Sequence, residues 1–141
     1  TFLTVPATHL MESIDLLPTG KLLDLEGTKF DARQGITLEG FVIDDVYYGM
    51  RSDKPAVIDF RDKRLKIRRA ASKEFTHLVV YTPADQRWFC VENQTTSTDA
   101  HNLYAKGLKD VSNLIVVEPG QKSSGYAERS RASTSCASVT L

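Results

Sequence analysis

The chain has 141 residues, of which 41% are hydrophobic, and its 18 basic residues balance 18 acidic ones. This length and hydrophobic content are typical of a single globular domain that buries a core. Zero net charge provides no overall attraction toward nucleic acid or an anionic membrane surface, so neither is an expected partner.

Short runs of β-branched and aromatic residues recur along the chain, separated by Gly, Pro, Asp and Asn, whereas amphipathic helical periodicity is scarce. This pattern predicts an all-β fold in one domain, residues 1–130. The predicted strands are, in chain order, residues 1–6, 10–16, 40–46, 56–59, 65–70, 77–81, 88–92, 113–118 and 124–130.

Turn residues separate these runs. Corners are predicted at Pro18-Thr19-Gly20, Asp53-Lys54-Pro55, Pro83-Ala84-Asp85 and Pro119-Gly120, and a hairpin tip at Asp62-Lys63. The stretch "DAHNLYAKGL" predicts one short helix that Gly107 closes. Residues 131–141 are small and polar without a turn or periodicity signal, which predicts a flexible polar tail.

The cysteines indicate the compartment. Cys90 and Cys136 are too few for a disulfide framework, which favours a reducing, cytoplasmic setting. No apolar run reaches the roughly 18 residues that a membrane helix needs, and the N-terminus lacks the basic and then apolar pattern of a secretion signal. We therefore expect a cytoplasmic protein without a membrane partner.

Two sets of carboxylates stand out, and local patterns leave their roles open. Glu92 follows the apolar residues "WFCV", so it is either a solvated carboxylate at a strand end or a working base. Asp44 and Asp45 follow "FVI", where they either close a turn or bind a ligand.

Four stretches, in the same order and at similar spacing, carry a resemblance to a known family. They are "LLPTGKLLDLEGTKFDAR", "FVIDDVYYGM", "VVYTPADQRWFCVENQTTSTDAHNL" and "VVEPGQ". The first stretch resembles the Pro-Thr-Gly, Glu-Gly-Thr and Phe-Asp-aromatic-Arg segment of the aldose 1-epimerases, or galactose mutarotases. The second resembles their Asp-Asp or Asp-His pair before an aromatic residue. The third resembles their Tyr-Thr-Pro, Cys-Val-Glu and Asp-Ala-x-Asn block, and the fourth resembles their closing Pro-Gly-Glu. The match runs from about Val5 to about Tyr126.

The resemblance implies a fold and an activity. Members form a large antiparallel β-sandwich (the galactose mutarotase-like supersandwich), of which this chain resembles roughly the C-terminal half. They interconvert the α and β anomers of free aldoses such as glucose or galactose. A base takes the proton of the C1 hydroxyl while an acid protonates the ring oxygen, so no metal or redox cofactor is required. The implied partner is therefore a monosaccharide substrate.

Site residues follow from the same resemblance. Glu92 matches the base, a role that suits glutamate because partial burial and hydrogen-bond donors tune a carboxyl pKa. Asp44 matches the aspartate that holds ring hydroxyls, and this interpretation requires Asp44 and Glu92 to face one cleft. Gln94 and Asn102 are weaker candidates for substrate binding, since either amide can equally satisfy loop backbone.

Other residues near the motifs are not expected to contact the sugar directly. Asp45 is interpreted as a turn residue, and Tyr81 and Trp88 are expected to pack in the core rather than to form a wall for a sugar. Val79 stands where other members carry a glutamine, and Asp-Asp replaces the Asp-His of many members, so the sequence leaves the substrate sugar open.

The general acid is the largest departure. In the family it is a histidine of a His-Pro-Tyr-Phe stretch upstream of the matched region, and His9, His77 and His101 are not in such a context. The chain is thus expected to be a shortened protein, a proteolytic product or one subunit of a split gene. Because a divided sandwich has open strand edges, it is expected to pair with the missing N-terminal half or to self-associate.

Two alternatives remain. A hexose-phosphate 1-epimerase is possible if the basic run holds a phosphate, although a solvated hairpin also explains this run; its residues are Arg61, Lys63, Arg64, Lys66, Arg68 and Arg69. A non-catalytic carbohydrate-binding domain is favoured by the missing acid. A nucleic-acid binder is disfavoured, because the basic run lacks interleaved aromatic residues.

Overall fold

The computed structural model describes residues 1–133, which form two antiparallel sheets of five strands each. Sheet A has the strand order β10-β7-β6-β1-β4, and sheet B has the order β3-β2-β5-β8-β9. The strands are β1 Phe2–Thr4, β2 His9–Ile14, β3 Leu17–Asp24, β4 Ile36–Thr37, β5 Ile43–Tyr48, β6 Ala56–Phe60, β7 Leu65–Ala71, β8 His77–Thr82, β9 Cys90–Gln94 and β10 Ala127–Ser133. The helices are α1 Ala100–Ala105, α2 Lys109–Ser112 and a 3-10 turn at Arg61–Lys63.

The core lies between the two sheets. Leu3 and Ile58 of sheet A pack with Tyr47, Leu78 and Val80 of sheet B in one buried apolar cluster. Successive side chains of a strand point to opposite faces, so each sheet contributes alternate residues to this layer. The predicted all-β, antiparallel β-sandwich is confirmed.

Strand β8 is an interior strand of sheet B. It pairs with β5 on one side and with β9 on the other. Leu78 and Val80 lie in the core, whereas Val79 between them faces the other side of the sheet and is half-buried. The predicted strand at residues 77–81 is confirmed as β8, whose outer face is buried at His77 and half-buried at Val79 and Tyr81.

A helical segment packs on the outer face of sheet B, the face turned away from sheet A. We call residues 97–113 the helical cover. Its Asp110 and Val111 carbonyl oxygens accept hydrogen bonds from Tyr48 (3.2 Å) and His77 (3.0 Å) of the sheet. Its two short helices contain the predicted helix of "DAHNLYAKGL", and Gly107, with φ of 83°, ends that turn as expected. The helical cover therefore closes one end of the outer face and leaves the other end open.

Three local predictions were wrong. Residues 113–118 form no strand, because no described strand pairs with them and their backbone hydrogen bonds stay local, such as that from Asn113 N–H to the Lys109 carbonyl oxygen. Pro18-Thr19-Gly20 lies inside β3 rather than at a corner, and the chain turns instead at Asp15 and Leu16. Residues 131–133 of the predicted tail continue β10, and the rest of that tail lies outside the described residues.

Within residues 1–133, no helix has the length and apolarity that crossing a lipid bilayer demands.

Candidate active site

The candidate site lies on the outer face of sheet B, where three strands place side chains in rows. Residues that pair directly across antiparallel strands point to the same face. The register of β5, β8 and β9 gives three such rows, which are Asp44–Tyr81–Cys90, Val46–Val79–Glu92 and Tyr48–His77–Gln94. The helical cover lies on the third row, so the first two rows form the open part of the face.

Asp44 occupies the open end of this face. It is exposed and pairs with Tyr81 across the strand. Its neighbour Asp45 points the other way, toward the space between the sheets, where burial and then the charge of Asp44 raise the pKa of Asp45. Both aspartates lie inside β5, so the interpretation of Asp45 as a turn residue was wrong.

Glu92 lies in the middle of β9 rather than at its end. Its side chain is exposed, so the partial burial expected around it is absent within the described residues. A hydrogen-bond donor is nevertheless present, because the Cys90 thiol donates to Oε1 of Glu92 at 2.9 Å. Alternation along the strand places Cys90 and Glu92 on one face, and this signal in the sequence was overlooked.

Asp44 and Glu92 share the outer face, although the cleft that the sequence interpretation required is not formed between them within residues 1–133. They lie two strands and two residues apart, so their Cα atoms are about 12 Å from each other. The same two rows contain the side chains of Tyr81, Val79, Val46 and Cys90. Both carboxylates therefore border one patch whose floor is apolar and aromatic.

The two weaker candidates are placed differently from each other. Gln94 lies on the outer face one row beyond Glu92, next to His77 and the helical cover. Asn102 belongs to α1, where its side-chain amide donates to the carboxylate of Asp99. The structure thus brings Gln94 to the same face as Asp44 and Glu92, whereas Asn102 makes a local contact within the helical cover.

Two aromatic residues extend the patch beyond Asp44. The rings of Tyr81 and Trp88 meet edge to face, with centroids 5.5 Å apart. Trp88 is 53% exposed and Tyr81 lies on the outer face, so the expectation that both pack in the core was wrong. Such a pair offers an apolar surface with polar handles, which is the kind of surface that sugar rings pack against.

Two cavities lie elsewhere, and neither is lined by Asp44 or Glu92. One, of about 620 Å³, lies at the sandwich end and is lined by residues such as Phe41, Phe60 and Trp88. The other, of about 320 Å³, is lined by β2, β3 and the loop that follows β3, beside Asp45 and Lys29. Within the described residues the candidate site is therefore an open face, and the predicted cleft between Asp44 and Glu92 is not formed.

The histidines lie outside the open patch, but Arg69 of the basic run reaches β9, where its guanidinium donates to the side-chain oxygen of Asn93 at 3.1 Å. His77 is fully buried beneath the helical cover, His9 contacts Thr8, and His101 is exposed on α1. The basic run belongs to sheet A and its turn, where Lys66 pairs with Asp59. Among residues 1–133, no group of three or more His, Cys, Asp or Glu side chains is arranged to hold a metal ion.

Comparisons with known proteins concern the family and the fold. The family model described as aldose 1-epimerase matches residues 1–128. No curated protein sequence matches the chain. A galactose mutarotase-like protein from Clostridium acetobutylicum superposes with a TM-score of 0.77 at 18% identity, covering 93% of this chain and 41% of that one.

A GalM/aldose epimerase homologue from C. elegans superposes with a TM-score of 0.69 at 17% identity. That match covers 94% of this chain and 45% of the homologue, so the chain spans less than half the length of either solved structure. The two structures share their fold with this chain, and the family model matches most of its sequence. The chain belongs to the aldose 1-epimerase family.

Proposed function

We propose that the chain supplies the base and the sugar-holding carboxylate of a mutarotase that interconverts the α and β anomers of a free aldose such as glucose or galactose. Glu92 is the base and Asp44 binds ring hydroxyls. One observation carries this proposal, namely that the strand register brings both carboxylates to the same exposed face of sheet B.

The chemistry follows from these positions. The Glu92 carboxylate takes the proton of the C1 hydroxyl, the C1–O5 bond breaks, and an acid delivers a proton to O5. The open-chain aldehyde turns about its C1–C2 bond and closes on the other face, returning both protons. Asp44 keeps the remainder of the sugar in place, so that only C1 reorients. Gln94, half-buried and one row further along at the border of the helical cover, is assigned a hydrogen bond with a sugar hydroxyl in this proposal.

The acid in this proposal comes from polypeptide outside the chain. His77 is buried beneath the helical cover, and its pKa is lowered to about 4 by burial, so it is a poor proton donor near neutral pH. The open strand edges of both sheets and the open site face support pairing with a complementary part of the fold, or with a second copy. A reducing, cytoplasmic setting belongs to the proposal, because the site contains the free thiol of Cys90.

The alternatives receive less support. A phosphate clamp would need the basic run near Asp44, but that run lies on the other sheet, with Lys66 already paired to Asp59. A non-catalytic carbohydrate-binding domain would keep Asp44 and the aromatic pair of Tyr81 and Trp88 without using Glu92 as a base. The experiment below separates this alternative from catalysis.

Polarimetry on freshly dissolved α-glucose and α-galactose tests the proposal. We expect the chain to accelerate the drift of optical rotation weakly, because loss of one member of an acid–base pair costs about 10²- to 10⁴-fold in rate. The Glu92→Gln variant should abolish the acceleration, whereas Asp44→Asn should weaken sugar binding.

The exposed Glu118, which lies outside the site face, provides the matched control. Glu118→Gln should leave the rate unchanged, so that a general effect of lost charge is excluded. Sugar binding without any acceleration would contradict catalysis and support the binding domain, and calorimetric titration of the same sugars measures that binding.

A further inference from the structure

Cys90 contacts the proposed base directly. Its thiol donates a hydrogen bond to Oε1 of Glu92 at 2.9 Å. The two residues are neighbours on one strand face, two positions apart in β9. A glutamate at this position has room to lean either toward Gln94 and the helical cover or toward Cys90, and the hydrogen bond shows that it leans toward Cys90.

This direction matters because of the row that Cys90 occupies. Cys90 pairs with Tyr81, and Tyr81 pairs with Asp44, so the three residues form one line across three strands. By leaning toward Cys90, the Glu92 carboxylate moves from its own row toward the row of Asp44. The gap to Asp44 thereby shortens from the ~12 Å between the Cα atoms toward the ~10 Å of two strand spacings, with Tyr81 between the two residues.

That spacing fits the substrate class of the proposed function. A single sugar ring that is hydrogen-bonded at both ends, at about 2.7 Å each, bridges such a gap, whereas a carboxylate leaning toward Gln94 would lie further away. We propose that Cys90 is a positioning residue, whose thiol holds the Glu92 carboxylate toward the row of Asp44, at the separation that one sugar ring spans. The inference rests on the proposed function of Glu92.

The protonation state of the Cys90 thiol supports its hydrogen bond to the Glu92 carboxylate. The hydrogen bond to Glu92, then burial and the Glu92 charge, raise the pKa of the Cys90 thiol. The thiol therefore stays protonated near neutral pH and remains a donor to the carboxylate. Because thiolate is the form that reacts with alkylating agents, the rate of Cys90 alkylation reports on the contact with Glu92.

The first experiment measures this contact without any sugar. In a Cys136→Ser background Cys90 is the only thiol of the chain, and its alkylation by iodoacetamide is followed by intact mass from pH 7 to pH 10. We expect Glu92→Gln to speed alkylation several-fold at pH 8 and to shift the profile to lower pH, while Glu118→Gln leaves it unchanged. Identical profiles for the parent and Glu92→Gln would overturn the inference.

The second experiment measures positioning by polarimetry in the unmodified chain. Cys90→Ala should lower kcat by about 10- to 100-fold with little change in KM, because a misplaced base slows the chemical step. Cys90→Ser should restore much of the rate, since its hydroxyl also donates. Circular dichroism checks that the variants stay folded.

The outcomes separate the two proposals. If Glu92 affects both alkylation and mutarotation but Cys90→Ala keeps the parent kcat, the positioning role fails and the proposed function stands. If the parent chain shows no mutarotation that depends on Glu92, the proposed function fails and the positioning role fails with it, whatever the alkylation profile.

Discussion

His77 is a buried, neutral histidine beneath the helical cover. Its Nε2 lies 3.0 Å from the carbonyl oxygen of Val111, and its Nδ1 lies 2.8 Å from the hydroxyl of Thr76. Because a carbonyl oxygen only accepts, Nε2 carries the proton and Nδ1 accepts from Thr76. Burial lowers the pKa of His77 to about 4, so this arrangement persists in the folded protein while the unfolded chain titrates near 6.5.

The titration of His77 predicts acid sensitivity. Its stabilising contribution is fully present above pH 6.5 and is lost as the pH falls toward 4, since only the unfolded chain takes up the proton in that window. The loss is about 1.4 kcal/mol for each pH unit, up to about 3 kcal/mol in total. Urea unfolding at pH 7, 6 and 5 measures it.

Two histidine variants identify the source of this effect. His77→Gln should reduce the dependence of unfolding free energy on pH in this range, because the group with the shifted pKa is gone. The exposed His101 is the control, and His101→Gln should keep the dependence of the parent chain. An unchanged dependence in His77→Gln would show that other groups cause the acid sensitivity.

At the scale of the element, the β2–β3 hairpin has an unusual turn. Its register pairs Ile14 with Leu17, so Asp15 and Leu16 form a two-residue loop. Both have positive φ, 50° and 67°, as a type I′ turn requires. Asn-Gly or Asp-Gly is the sequence that indicates such a turn. Here leucine stands at the second position, so the sequence did not predict the turn.

This turn predicts a stabilising substitution. Leu16→Gly should raise the free energy of unfolding by about 0.5 to 1 kcal/mol, because leucine is strained at positive φ and is 67% exposed, so little burial is lost. Thermal unfolding measures the change. Leu17, 56% exposed but inside β3, is the matched control, and Leu17→Gly should destabilise by a similar amount. Destabilisation by both variants would contradict the strain at Leu16.

At the scale of the whole molecule, residues 115–117 are an apolar segment that pairs with no strand among residues 1–133. Ile115, Val116 and Val117 are 39%, 57% and 47% exposed, and their backbone groups bond to no other described residue. The β-branched residues favour a strand, but a strand needs a neighbour to accept and donate its backbone hydrogen bonds. The chain covers 41% and 45% of the two solved structures, so such a neighbour can come from the complementary part of the fold.

The segment predicts association of the isolated chain. We expect its apparent mass in sedimentation velocity to rise with concentration, because an unpaired β-prone segment and open sheet edges recruit other chains. Val116→Lys should lower the association without changing the circular dichroism spectrum. Ile14→Lys, at an equally exposed apolar position of the β2–β3 hairpin, is the control and should associate like the parent. A chain that stays monomeric at all concentrations would contradict the prediction.

The sequence by itself determined the all-β class, most strand positions and the two carboxylates, because β-branched runs, turn residues and motifs are local features. It also determined that Cys90 and Glu92 share a strand face, since alternation is a property of one strand. It did not determine that Asp45 lies inside β5 or that the helical cover buries His77, because both depend on contacts between distant segments.

Only the tertiary structure decided which residues face each other. The pairing of β5, β8 and β9 places Asp44, Tyr81 and Cys90 in one row, and one residue of slip would turn Asp44 or Glu92 to the other face. The structure likewise decided that residues 113–118 join no strand within residues 1–133 and that Glu92 leans toward Cys90. The physical reason is that backbone pairing and side-chain direction depend on neighbours brought together by folding, which local sequence does not specify.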